Sequence, residues 1–394
     1  MSLKRDLLVS FGLQGAGAGA VLLATLLLGA RLGPVVQGGF SHLKAEIEFA
    51  SAFAMFGLPQ ALFFFVKAGR LSAKSALRWV VGSAIVAVPL TLAYAASRAE
   101  PAAIGALMAV TVGAAVAHGQ LRALLLVDTH TAWFNVLTAL PQLLVLAGVA
   151  GVLWHRGAEP AWWVAIFGLA YAVAAVLAWR RFAAMQVATP AAPASWRALV
   201  HYGLAAWLTA ALATAAILVV QHWVETSQGR APLGQFTMAM TLVQVPLVPV
   251  SYAAPILFRR WMERPGAAAS RRIAAILFAL LLLAAALCWV AAFVRPDLGL
   301  GPAYDGATRA LAVLLAGGAA EAASRVLAVQ ASARGTPWIG VRAEAGRWTA
   351  LAIGWLALTQ PSLMALCAVW AAGSWAAAGV FILSVRAGAP ETAA

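Results

Sequence analysis

The chain has 394 residues, of which 63% are hydrophobic and 10% charged, and a mean hydropathy of +0.88. That composition excludes a soluble globular protein with a polar surface. The formal net charge of +14 invites a nucleic-acid reading, but the basic residues fall between apolar runs instead of forming patches with interleaved aromatics, so membrane topology accounts for them and no nucleic-acid partner is expected.

Apolar runs of about 18 to 25 residues recur from end to end, each long enough to cross a hydrocarbon core of roughly 30 Å at 1.5 Å per residue. Twelve transmembrane spans are predicted, near 7–29, 40–66, 77–96, 102–125, 132–153, 161–179, 198–221, 234–258, 272–294, 307–331, 338–358 and 363–385. The basic Lys4-Arg5 start followed by an apolar run reads as a retained first helix, because the run exceeds a usual signal-peptide core. The connections are too short to hold a soluble domain. The expected fold class is therefore all-α, a polytopic membrane protein.

Sorting the basic residues by connection gives the orientation. With the N-terminus inside, Lys4, Arg5, Lys67, Arg70, Lys74, Arg78, Arg122, Arg180, Arg181, Arg197, Arg259, Arg260, Arg264, Arg271, Arg272, Arg334, Arg342 and Arg386 lie inside; Arg31, Arg98, Arg156, Arg230, Arg295 and Arg309 lie outside. The excess of inside positive charge places both termini in the cytoplasm.

Sliding the chain by 196 residues superposes Gly33 on Gly229, Gly38 on Gly234, Phe40 on Phe236 and Pro59 on Pro255. Six spans to a copy is an even number, so both copies enter the membrane from the same side and form two pseudo-symmetric six-helix bundles. The expected domains are an N-terminal lobe over 1–182, a cytoplasmic linker over 183–197 with Thr189-Pro190 and Pro193, and a C-terminal lobe over 198–394.

Within this apolar chain the charged residues inside spans are the informative ones. The second span carries His42, Lys44, Glu46 and Glu48. At about 100° per residue, His42 and Glu46 share one face while Lys44 and Glu48 share nearly the opposite one. His42 and Lys44 either reach the headgroups or serve a cavity; Glu48 is deeper and needs Lys44 or a proton. Glu321 with Arg325 on the tenth span, and Glu344 with Arg347 on the eleventh, are either structural ion pairs or a polar cavity wall on which Arg325 and Arg347 could hold phosphate. Glu46, Glu48, Glu321 and Glu344 are the candidate ion-coupling carboxylates. Pro59, Pro246, Pro249 and Pro255 are candidate hinges, since proline removes a backbone donor. His118, His201 and His222 are isolated in sequence and are expected to pack or face an interface, and Cys288 and Cys367 sit far apart in apolar runs as packing residues.

No Walker A, GxSxG or HExxH sequence is present, so no catalytic residue, metal site or cofactor is expected.

The run LGPVVQGGF followed by GLPQALFFFV resembles the N-terminal signature of Wzx-like, O-antigen-type polysaccharide flippases of the multidrug/oligosaccharidyl-lipid/polysaccharide (MOP) superfamily. LRALLLVDTHTAWFNVLTALPQLL is similar to that family's link between helices four and five, and LGQFTMAMTLVQVPL to its eighth helix. The resemblance implies two six-helix bundles around a central cavity, gated by helices one, two, seven and eight. It further implies alternating-access flipping of undecaprenyl-pyrophosphate-linked oligosaccharide across a bacterial cytoplasmic membrane. Lys44, Arg325, Arg347 and His42 would then serve the pyrophosphate, with polysaccharide polymerase or other assembly proteins as possible partners besides the bilayer. A multidrug exporter of the same superfamily is the first alternative; an integral-membrane polysaccharide polymerase or ligase is the other, and its typical large outside loop is missing.

Overall fold

The computed structural model describes residues 3–98, 101–128, 132–155, 159–185, 194–263, 267–334 and 336–386. It is all-helical, with no strand among the described residues. The helices are α1 (Leu3–Ala54), α2 (Leu58–Lys67), α3 (Ala73–Ser97), α4 (Ala102–Leu124), α5 (Ala132–Trp154), α6 (Pro160–Ala183), α7 (Trp196–Gln228), α8 (Arg230–Glu263), α9 (Ala267–Ala291), α10 (Ala307–Ala333), α11 (Trp338–Ala357) and α12 (Leu363–Arg386). Most of the predicted linker, including Thr189, Pro190 and Pro193, lies outside the described residues.

The predicted connection over 30–39 is not a loop. α1 is two helical arms joined at Gly33, whose φ of 77° and ψ of 177° leave the helical region. The residue before a proline is pushed away from helical ψ, and only glycine takes positive φ at no steric cost, so the Gly33-Pro34 pair reverses the chain in one residue. A positive-φ glycine recurs at Gly229, with a φ of 89°, between α7 and α8, there followed by Arg230 and not by proline. These helices overrun the hydrocarbon core: α7 and α8, with 33 and 34 residues, are each about 50 Å long. Their polar ends, and those of the α1 arms, are helix and not loop.

Among the described residues, ten helices are long and apolar enough to cross a membrane. The two arms of α1 count once in that number, and α11 is left out because Arg342, Glu344 and Arg347 fall within its 20 residues. Large apolar side chains face outward: on α9, Leu283, Leu287 and Val290 are each more than half exposed. Water would not tolerate such a patch, whereas lipid does.

Contacts divide the chain into two compact units, residues 1–24 with 43–215, and residues 25–42 with 216–394. In the first, α4 is central and packs on α3 and α6, with α5 beside α6. In the second, α10 holds the corresponding place among α8, α9 and α12, with α11 beside α12. Small residues let α10 be surrounded so closely: a Cβ on Gly317 would lie 2.8 Å from Ala371 Cα, and one on Gly318 would lie 2.9 Å from a Val243 methyl.

The second unit also contains the meeting of two repeat mates. Gly38, on the later arm of α1, packs backbone to backbone on Gly234 of α8. A Cβ on Gly38 would stand 2.9 Å from Gly234 N, and one on Gly234 only 2.0 Å from the Pro34 carbonyl oxygen. Beside this crossing Gln37 Nε2 donates to Thr237 Oγ1 at 3.0 Å and to Ser41 Oγ at 3.0 Å.

Because both neighbours of the added methyl would be main chain, Gly234→Ala is expected to cost about 1–3 kcal/mol through overpacking. Gly39, one position along, has open space for a Cβ, so Gly39→Ala serves as the control. Thermal unfolding of the detergent-solubilised protein should show a lowered midpoint for Gly234→Ala, and an equal response from the two variants would contradict the crossing.

Candidate functional site

Buried charge in so apolar a chain must be compensated locally. On α11 the i, i+3 spacing brings Glu344 under Arg347, whose Nε donates to Glu344 Oε2 at 2.9 Å. The same guanidinium reaches across to α10, where Nη2 donates to Glu321 Oε2 at 2.7 Å, and Nη1 donates to Ser374 Oγ on α12 at 3.3 Å. Its carbon lies 5.1 Å from the centre of the Trp370 ring. On α10 the i, i+4 partner Arg325 donates from Nε to Glu321 Oε1 at 3.3 Å, from Nη1 to Ser251 Oγ at 2.8 Å and from Nη2 to Gln244 Oε1 at 3.3 Å, the last two on α8.

The two pairs expected from spacing are thus one network with Glu321 at its centre. It holds two acids and two bases, so it is neutral as a whole. Every guanidinium nitrogen of Arg325 and Arg347 already donates a hydrogen bond. Arg347 is 3% exposed, whereas the Arg325 side chain keeps 31% of its surface.

The charges of the second span divide between the units. In the first, Lys44 is paired with Glu48 at the expected i, i+4 spacing, both half-exposed. Glu46 is buried; Tyr94 Oη donates to its Oε1 at 3.2 Å, and Arg98 Nε stands 3.7 Å from the same oxygen. His42 belongs to the second unit, where its ring stacks on His222 with centroids 6.5 Å apart and its Nε2 lies 3.9 Å from Glu225 Oε2. His222 is therefore not the isolated residue expected from sequence; α7 brings it to a histidine 180 positions away in the chain.

Of the candidate hinges, Pro59 follows a real break. Helical geometry stops at Phe56, with φ 48°, and Gly57, with φ 67°, and Pro59 occupies the first turn of α2, where its missing N–H costs no helical bond. Gly57 lies against Gly203 of α7, main chain on main chain. α8, in contrast, runs on as helix through Pro246. Pro249 and Pro255 stand in that helix too, with side chains outside the described residues.

Sequence reasoning missed the cavity of the first unit. It has a volume of about 260 Å³ and is lined by Glu48 and Ser51 on the later arm of α1, Gln60 on α2, His118 and Arg122 on α4, Thr138 and Gln142 on α5, Tyr171 on α6 and Trp207 on α7. His118 is buried with Nε2 2.8 Å from the Leu137 carbonyl oxygen, and the Arg122 guanidinium lies over the Phe134 ring at 5.6 Å. The buried Oγ of Ser51 and Oε1 of Gln142 have no hydrogen-bond partner in the protein. A small cavity with two aromatic rings and unspent acceptors can take an amphipathic group. Its members come from six helices at unrelated spacings, which no sequence periodicity reveals.

Removing one partner of a buried ion network strands the others, at about 3–5 kcal/mol for a fully buried pair. Arg347→Met should therefore lower the unfolding midpoint clearly more than Arg325→Met, whose partners retain solvent or lipid-headgroup access. The reverse order in the same thermal assay would contradict the network's geometry.

No protein-family model and no curated protein sequence matches the chain. Solved structures do. An inward-facing multidrug resistance MATE family transporter of the MOP superfamily matches with a TM-score of 0.68 at 15% identity, over 97% of each chain. The Vibrio cholerae MATE transporter VcmN in its bent form matches with a TM-score of 0.66 at 14% identity, over 97% of this chain and 96% of its own. A MOP superfamily transporter from Pyrococcus furiosus, described as having a binding pocket of reverse polarity that suggests a different function, matches with a TM-score of 0.65 at 14% identity, over 98% and 94%. At such identity the likeness extends to the fold alone, and the chain has the helical fold of MATE transporters, with two pseudo-symmetric halves.

Proposed function

We infer that the chain is a membrane transporter of the MOP superfamily that works by alternating access and exports amphipathic small molecules. The observation that carries this reading is the likeness to MATE transporters over nearly the whole of both chains. The two halves are the repeat-related lobes 1–182 and 198–394, and both termini lie in the cytoplasm, as the distribution of basic residues favours. The cavity of the first unit supplies a place for substrate: Trp207 and Tyr171 offer ring faces, and Ser51 and Gln142 offer unpartnered oxygens to an amphipathic guest. Glu46, Glu48, Glu321 and Glu344 are the carboxylates available for ion coupling.

A second reading, a flippase for undecaprenyl-pyrophosphate-linked oligosaccharide, is supported by the resemblance of LGPVVQGGF and GLPQALFFFV to Wzx-like flippases. In that reading Lys44, Arg325, Arg347 and His42 receive the pyrophosphate. It ranks second because Arg325 and Arg347 already spend every nitrogen on protein acceptors and Lys44 is neutralised by Glu48. A pyrophosphate would have to displace those partners in a low-dielectric setting.

Everted vesicles containing the protein and energised with a proton or sodium gradient should accumulate a cationic dye. Trp207→Ala or Tyr171→Ala should raise the KM for the dye about twofold to tenfold, the worth of one aromatic contact. Reconstituted vesicles that leave the dye untouched but flip a lipid-linked oligosaccharide, with loss of flipping in Arg325→Ala, would overturn the exporter reading in favour of the flippase.

A further inference from the structure

The triad of His42, His222 and Glu225 lies outside both the ion network and the cavity, and its chemistry differs from theirs. His222 and Glu225 are three residues apart on α7 and so share a face; His42 approaches from the later arm of α1. One ligand atom from each residue, an imidazole nitrogen or a carboxylate oxygen, lies within 4.8 Å of the other two. The two rings stack at an interplanar angle of 29°.

We propose that these three side chains form a binding site for a divalent transition-metal ion of the zinc, cobalt or nickel class. Two imidazoles and one carboxylate are the donors such ions prefer, whereas calcium and magnesium ask for an all-oxygen shell. Metal bonds of about 2.0–2.1 Å place tetrahedral ligand atoms roughly 3.3 Å apart. Closing from the observed spacing requires rotations about side-chain bonds of His222 and Glu225, both only partly buried, with the helices left in place. His222 Nδ1 is buried and has no hydrogen-bond partner in the protein, so in the tautomer that leaves it unprotonated this nitrogen is open to an ion.

Glu225 is oriented for the task. Arg230 Nε donates to Oε1 at 3.1 Å, which leaves Oε2 toward His42. An outer partner of this kind is how proteins hold ligating carboxylates. Three protein ligands leave a fourth position for water, so the ion would be exchangeable. Bound, it would tie α1 to α7 next to the Gly38–Gly234 crossing.

The full-length protein in detergent, stripped with a chelator and titrated with Co²⁺, should show visible absorption bands of a nitrogen- and oxygen-ligated ion at one equivalent, displaced by Zn²⁺. His42→Ala and His222→Ala should each weaken binding by roughly tenfold or more, and Glu225→Gln by a comparable factor. His201→Ala, an exposed histidine elsewhere on α7, should bind as the parent does. Zinc-edge X-ray absorption of the unsubstituted protein should report two imidazoles, a test that survives misfolding of any variant. Absence of a stoichiometric cobalt spectrum, an absorption edge without two imidazoles, or parent-like affinity in both His42→Ala and His222→Ala would overturn the site.

Discussion

At Gly38 and Gly234 two helix backbones meet with no room for a side chain on either, and much of the second unit is set by that contact. Helix axes can come this close only where both partners lack a Cβ, and the register is then fixed to the residue. Gln37 and Thr237, one and three positions from the glycines, are brought within hydrogen-bonding reach, and four residues past Gly38 the ring of His42 meets α7. Gly33 and Gly229 both take positive φ where one helix passes into the next, a conformation that only glycine adopts without steric cost.

The second constraint is the apolar solvent. In water an Arg–Glu pair contributes little, but within a bilayer an unpartnered charge is costly enough that each ionisable group must have its complement built beside it. The network of Glu321, Arg325, Glu344 and Arg347 meets this with equal numbers of each sign, and with Ser251, Ser374 and Gln244 accepting from the guanidinium nitrogens that the carboxylates do not reach. Such a cluster specifies which faces of α8, α10, α11 and α12 turn toward one another.

Helix number and the two pseudo-symmetric halves were legible in the sequence because each depends on a local sum: apolar length and a spacing of 196 residues. The i, i+4 and i, i+3 pairs Lys44–Glu48, Glu321–Arg325 and Glu344–Arg347 were legible for the same reason, being within one helix. What joins helices was not. The Arg347–Glu321 contact, the Glu46–Arg98 contact and the meeting of His42 with His222 and Glu225 depend on which faces oppose each other, and no periodicity carries that. The span ends were misplaced at 30–39 and 222–233 because polar residues there read as loop, whereas they sit on helix that continues past the hydrocarbon core. Gly33-Pro34 was the available signal: a one-residue reversal needs no loop.

The interruption at Phe56 and Gly57 sets an arithmetic of its own. Glu48 and Ser51 line the cavity of the first unit from before the break, Gln60 from after it, and Gly57 itself is in the wall. The angle between the two helical pieces and the room available to a guest are consequently a single variable. Gly203, wedged against Gly57, is the fulcrum at which helix α7 reads it. A change of angle at that joint would change the distance between the Glu48 and Ser51 side of the cavity and the Gln60 side.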